Sequence, residues 1–249
     1  MKTLLFMTAI LVALAVPQSD PPVLKSGIVN LGAMPGDDGV WELRYIENLA
    51  DYVLPRASIP FLAWSAALHK YNTRTNAKYD PEGYCIPPGG PRQFTTPYPM
   101  KIVQMPDEKR VYFLFEGHHV FREVFMDGRE HPQGKRGTWL GHSVGRYEND
   151  GKTLVIDVAG FNEETWLDFA GHPHTDQLHV IEKFSRPSRN QLRYEALIDD
   201  PGAYKAPWTV SWTMKWWPKG ELDEYICEEN NQYIQTLKDD FGRPVFFPR

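Results

Sequence analysis

Cysteine is scarce in this chain: Cys85 and Cys227 are the only two. They form no Cys-x-x-Cys spacing, which argues against a thiolate metal site, and in an exported protein two such residues most often pair. Long apolar runs are missing as well. The longest, residues 4–14, falls short of the ~20 residues that a membrane-spanning helix needs. Basic residues are not in excess; the formal net charge is −5, and a nucleic-acid binder would carry a basic face. No block of like charge marks a polybasic membrane patch or a charged tail. Internal repeats and low-complexity tracts are absent. No helical segments alternate with the strand-like ones, which excludes doubly wound and TIM-barrel architectures.

The short apolar run has another use. Lys2 supplies a positive start, residues 4–14 an apolar core, and Ala13-Leu14-Ala15 a small-x-small cleavage site. That is the pattern of a secretory signal over residues 1–15. The mature chain is then expected to begin near Val16 in an oxidising compartment, secreted or periplasmic, where a Cys85–Cys227 disulfide can persist.

What the chain has in quantity is punctuation and aromatics: 21 prolines, 19 glycines and eight tryptophans among 249 residues. That composition suits many short strands joined by turns. Residues 16–57, rich in Pro and Gly, read as an extended, surface-lying N-terminal arm. Residues 58–249 read as a single β-rich domain. Ser58 is a candidate helix cap with Pro60 in the first turn, and apolar residues recur at helical spacing to about Thr75. The proline density of 79–99 forbids helix and ladder alike. Strand-like runs follow at 100–104, 110–116, 120–126, 138–148, 153–158, 177–184, 191–198, 208–216 and 222–227. A short terminal helix is expected over 228–238. About nine strands at this spacing indicate a mostly β fold, a single antiparallel β-barrel or sandwich of lipocalin-like form.

Seven of the eight histidines lie between His118 and His179. The densest stretch, Gly160 to Phe184, holds His172, His174 and His179 with Asp168, Asp176 and Glu182. Histidine is the side chain that exchanges a proton most readily near neutral pH, and it is the commonest metal ligand. His69 stands apart and reads as a packing or surface residue.

Several segments resemble a widespread family of exported, functionally uncharacterised bacterial proteins. They are Thr138-Trp-Leu-Gly-His142-Ser, Leu154-Val-Ile-Asp157, Thr165-Trp-Leu-Asp168, Gly171-His-Pro-His174 and Leu178-His179-Val-Ile-Glu182. Shorter matches include Cys85-Ile-Pro-Pro-Gly89, Asp127-Gly-Arg129 with His131, and Tyr225-Ile-Cys227. The resemblance covers most of residues 80–231. It implies export and a β-rich fold and lends no mechanism.

Three chemistries are open. His172 and His174, two apart, project to one side of an extended segment, and with His179, His142 or His119 as a third ligand they suit one divalent metal ion with an open position. Alternatively, His142, His174 and His179 with Asp168 and His119 form a metal-free acid–base site, with Arg122 or Arg146 binding negative charge. The Gly141-His-Ser143-Val-Gly145 match to a nucleophile elbow lacks the required strand–turn–helix setting. Trp139, Trp166, Trp208, Trp212 and Glu229 are candidate substrate contacts, since sugar or aromatic rings stack well on indole. Two functions are therefore carried forward. One is an exported enzyme acting on a small cyclic or sugar-like substrate by elimination, isomerisation or hydrolysis. The other is a lipocalin-like binding protein with a tryptophan-lined cavity. The first has more use for clustered histidines.

Overall fold

In residues Gln191–Asp199 the side chains alternate without a break: Leu192, Tyr194, Ala196 and Ile198 are buried and their neighbours reach towards solvent. A period of two with one apolar face makes a strand that covers a core on one side only. The computed structural model describes residues 21–229, 231, 232, 236, 238, 239 and 241–243. Among these residues there are ten strands: β1 (Gly39–Glu42), β2 (Val53–Leu54), β3 (Met100–Met105), β4 (Arg110–Phe115), β5 (Phe121–Phe125), β6 (His142–Glu148), β7 (Thr153–Ala159), β8 (His179–Ser188), β9 (Gln191–Asp199) and β10 (Trp208–Pro218). The sheet runs β1-β3-β4-β5-β6-β7-β8-β9-β10, and β1 also pairs with β10. Nine strands therefore close a barrel, and β2 adds to the edge of β10. Every neighbouring pair is antiparallel except β5 and β6.

The expected barrel is present, but its closing strand comes from an unexpected place. Residues 222–227 form no strand. The seam is made instead by β1, in the segment read as a surface arm, with Trp41 opposite Trp216 on β10. Val29, Leu31, Val40, Trp41, Leu43, Ile46 and Leu49 from that segment are all buried. The reading of 16–57 as surface-lying is corrected accordingly: a four-residue strand with partners on both sides needs no long alternating run to announce it.

The helix is α1 (Ala63–Arg74), which starts later than Ser58 and Pro60 suggest. Leu62 occupies the cap position and caps nothing with its side chain, while Phe61 bridges to Tyr204. The helix is held by polar contacts: Ser65 Oγ to the Ala203 carbonyl at 2.5 Å, and Asn72 Nδ2 to the Gly171 carbonyl at 3.0 Å. Trp64 and Leu68, counted as part of an apolar face, are exposed.

Inside the barrel, the 3₁₀ turn Gly90–Phe94 inserts Phe94 among Phe113, Phe115, Phe184 and Tyr194, at ring separations of 4.8 to 5.8 Å. Two buried arginines share this interior. Arg122 pairs with Glu182, which also accepts from the Tyr194 hydroxyl at 2.8 Å. Arg186 donates to the carbonyls of Asn30, Gly32 and Arg189 and lies over Trp41. Buried charges persist when they are paired or hydrogen-bonded in this way.

Cys85 and Cys227 form a disulfide with their Cα atoms 5.5 Å apart. It ties the Pro-rich loop to the segment after β10. No helix among the described residues is long and apolar enough to cross a membrane. The expected leader, 1–15, lies outside the described residues, as do five of the eleven residues of the expected 228–238 helix.

Candidate active site on the outer barrel wall

The Asn149-Asp150-Gly151 turn sets the register of β6 against β7, placing His142 opposite Ala159 and Val144 opposite Asp157. In the next pairing Asp157 faces Ile181 and Val158 faces Val180, which brings His179 alongside. Strand alternation turns His142, Asp157 and His179 to the same outer face of the wall, while Ser143, Val158 and Val180 point inward. The histidines expected in a barrel pocket are thus on the outside of the barrel.

Four side chains join there. Asp157 Oδ1 accepts from His179 Nε2 at 2.7 Å and from His131 Nε2 at 3.0 Å. The other ring nitrogen of His131, Nδ1, lies 2.9 Å from Nδ1 of His142. A carboxylate only accepts, so the His131 proton is on Nε2 when the ring is neutral. Its Nδ1 then accepts from the His142 Nδ1–H, and the His142 Nε2 lone pair is left without a partner among the described residues. Burial pushes the His142 pKa down, and the neighbouring charges of His131, Arg129 and Lys135 push the same way. The Asp157 pKa is also lowered: burial, the largest influence, raises it, and the hydrogen bonds from His179 and His131 outweigh that. His142 stacks on Phe125 at 5.1 Å, and the Arg129 guanidinium lies 3.8 Å from the same ring.

Two clefts meet at His142. One, about 420 Å³, is bordered by His131, Lys135, Arg136 and Gly160. The other, about 310 Å³, runs along the junction of β5 and β6 and is walled by Phe121, Phe125 and Trp139. Gly141 explains why the second exists. Its φ of +66° turns the chain out of β6, and a Cβ there would come within 3.0 Å of Val158, Ala159 and Phe161. Residues before it leave the sheet, and Thr138 bridges to Phe161 instead of to β5.

The remaining expected site residues are dispersed. Asp168, His172 and His174 hold the 160–178 loop together. Asp168 Oδ2 accepts from the Leu49 backbone at 2.7 Å and from His172 Nδ1 at 2.6 Å. His172, His69 and Phe61 stack on one another, with the two imidazoles 4.1 Å apart. His174 donates from Nδ1 to the Thr175 carbonyl and accepts the Thr165 hydroxyl at Nε2, and burial lowers its pKa. This is how a buried loop satisfies its polar groups in the absence of a ladder. The metal-ligand candidates His172, His174 and His179 have three different partners. Among the described residues no group of three or more His, Cys, Asp or Glu is arranged to hold a metal ion.

Arg122 points inward to Glu182, whereas Arg146 shares the outer face with His142 but pairs with Glu148 at 2.7 Å. His119 lies near the disulfide segment, its Nε2 accepting from the Tyr225 backbone at 2.7 Å. Glu229 is exposed just beyond Cys227. Trp166 bridges to Pro173. Trp208 and Trp212 are buried, packed on Tyr204 and Tyr194. Of the substrate-contact candidates, Trp139 borders a cleft at His142. Sequence reasoning missed His131 and Asp157 as site residues. Counting back from the Asn149-Asp150-Gly151 turn would have put Asp157 on the face of His142.

No protein-family model, curated protein or solved structure matches this chain.

Proposed function

We propose that the chain is an exported acid–base enzyme in which His142 is the proton-transferring group. The observation that carries this reading is the hydrogen-bonded series His142–His131–Asp157–His179. It ties one nitrogen of His142 and leaves the other free beside two clefts. A base oriented by a second group that is itself oriented by a carboxylate is the arrangement general-base catalysis requires. Trp139 and Phe121, 38% and 63% exposed, offer flat walls for a small ring, sugar-like or unsaturated. Lys135 and Arg136 on the other cleft favour an acidic substituent on that ring. His142 would take a proton from carbon or from water, giving isomerisation, elimination or hydrolysis. His131 and Asp157 would stabilise the imidazolium that forms.

The test uses a panel of small cyclic keto acids, hydroxy acids and uronate-like sugars in D₂O, with loss of C–H signals and appearance of products followed by NMR. Turnover or exchange by the wild-type protein should disappear in His142→Ala and fall sharply in Asp157→Asn. Activity that persists in His142→Ala overturns the assignment.

A further inference from the structure

The β5–β6 junction differs from every other seam of the barrel. It is the one parallel pairing, and its register comprises two pairs, Val124 with Ser143 and Phe125 with Val144. Successive residues of a strand face opposite sides of a sheet. Yet the cleft at this junction is bordered by Phe121 and His142 from the outer face and by Arg122 and Ser143 from the inner face. It is therefore bordered by residues of both faces of the sheet, at a seam whose strands share two residue pairs.

Two of the inner-face residues that border it each carry a buried, unpaired polar atom. Arg122 and Ser143 are 4% and 1% exposed. Arg122 uses NH1 and NH2 on Glu182, which leaves Nε–H with no acceptor, and the Ser143 hydroxyl likewise has no partner. Buried donors left unmet are costly, and native interiors rarely tolerate them without a reason. In the parallel register Val124 lies opposite Ser143, so Arg122, two residues earlier on the same face, is its diagonal neighbour. A guanidinium Nε–H only donates, so an occupant must present an acceptor. Glu182 balances the charge of Arg122, and Glu123 also borders the cleft, which disfavours a full negative charge and favours an uncharged oxygen. The outer walls, Phe121 and Trp139, suit a ring.

We propose that this seam binds the carbonyl oxygen of a small cyclic ketone or lactone, with Arg122 Nε–H and the Ser143 hydroxyl as donors. The inference deepens the proposed function and rests on it for one point, that His142 at the cleft mouth acts on the bound molecule. Polarising a carbonyl there would acidify the adjacent C–H, and His142 Nε2 would receive that proton. The electron pair would then be held as an enolate whose oxygen accepts both hydrogen bonds.

Binding is measured separately from turnover, with cyclohexanone and δ-valerolactone carrying ¹³C at the carbonyl, titrated against the whole protein by NMR. In the wild-type protein the ¹³C resonance should move downfield with saturation. Ser143→Ala removes an unpaired hydroxyl, so it should melt as the wild type does while binding both probes about five- to tenfold more weakly, the loss expected for one hydrogen bond. Trp139→Ala should weaken binding as well. Asp157→Asn, which disables the relay but borders neither cleft, should bind the probes within about twofold of wild type. Cyclohexylamine, which presents a cation instead of a carbonyl, should not compete. Absence of wild-type binding, an unmoved carbonyl resonance, or equal binding by Ser143→Ala overturns the proposal. Ser143-dependent binding together with turnover that is indifferent to Asp157 would leave the seam standing and remove the relay.

Discussion

The Nδ1 atoms of His131 and His142 lie 2.9 Å apart, so one hydrogen is shared between two nitrogens and the protonation of one ring decides that of the other. The pair is anchored by Asp157, which accepts the far nitrogen of His131. His131→Ala should therefore reduce turnover although His131 is one ring removed from the transferred proton. Loss of the orienting partner should lower kcat by about 10²-fold, within the range general-base contributions span. The melting temperature should change little, since the cluster is partly exposed. An unchanged kcat would show that His142 acts without the relay.

The pH profile follows from His142. Its pKa is lowered by burial and by His131, Arg129 and Lys135, so it is neutral and able to accept a proton at pH values below the ordinary histidine range. The acid limb of kcat/KM should lie below 6.5. Arg129→Gln removes one of the positive neighbours and should move that limb towards higher pH. A limb well above 6.5 in the wild-type protein would contradict the assignment.

Stability should depend on a different histidine. His118 is half-buried, both of its ring nitrogens are shielded from solvent without partners among the described residues, and that burial with the nearby Arg92 charge holds its pKa down at about 4, against the opposing pull of Glu228. Between 6.5 and about 4 the unfolded chain binds a proton that the folded one refuses. Stability therefore rises with pH through that window and levels off above it. His118 has a φ of +63°, which Asn tolerates. In urea titrations at several pH values, His118→Asn should flatten part of this slope. The part that persists is expected from His174 and His69, whose pKa values are lowered in the same direction.

Glu182 lies inside the barrel with Arg122 and Tyr194. Glu182→Gln leaves the Arg122 charge buried without a counter-charge and should cost about 3–5 kcal/mol in urea denaturation. Changing both residues to Met should cost less than this single change. A mild single variant would mean that water reaches Arg122, and the seam is the route by which it would do so.

The legible parts of this fold are those that carry their own period. Seven of the expected runs matched strands of five to eleven residues because alternation persists over that length, and Trp208–Pro218 is the clearest case. The run expected at 138–148 is shortened by Gly141, whose positive φ takes the chain out of the sheet. β1 is too short to show a period, and only its partners reveal it as a strand. Residues 222–227 have strand-like composition, but β1 already occupies the edge of β10 they would need. In the site, the shared outer face of His142 and Asp157 follows from a turn between adjacent strands. His131 lies in the loop between β5 and β6, and its arrival at His142 depends on a tertiary path that no spacing encodes. Asp168 and His174 have the right chemistry for catalysis. They are instead used to hold a long loop, and residue type alone does not separate those uses.

Barrel closure by β1 has a consequence for how the chain folds. Trp41 on β1 precedes every other barrel strand in synthesis, and Trp216, against which it packs at 5.0 Å, lies on β10, the last of them. The two meanders, β3 to β5 and β6 to β10, can assemble locally, but neither can close by itself. The nascent chain accordingly has no closed barrel core until β10 has been made, a topology that favours slow and strongly cooperative folding. A fragment ending after β9 would leave β1 and β2 without their β10 partners and should not hold a partial barrel. A barrel of this design stays open until β10 arrives to meet β1, which is compatible with being threaded across a membrane before it folds.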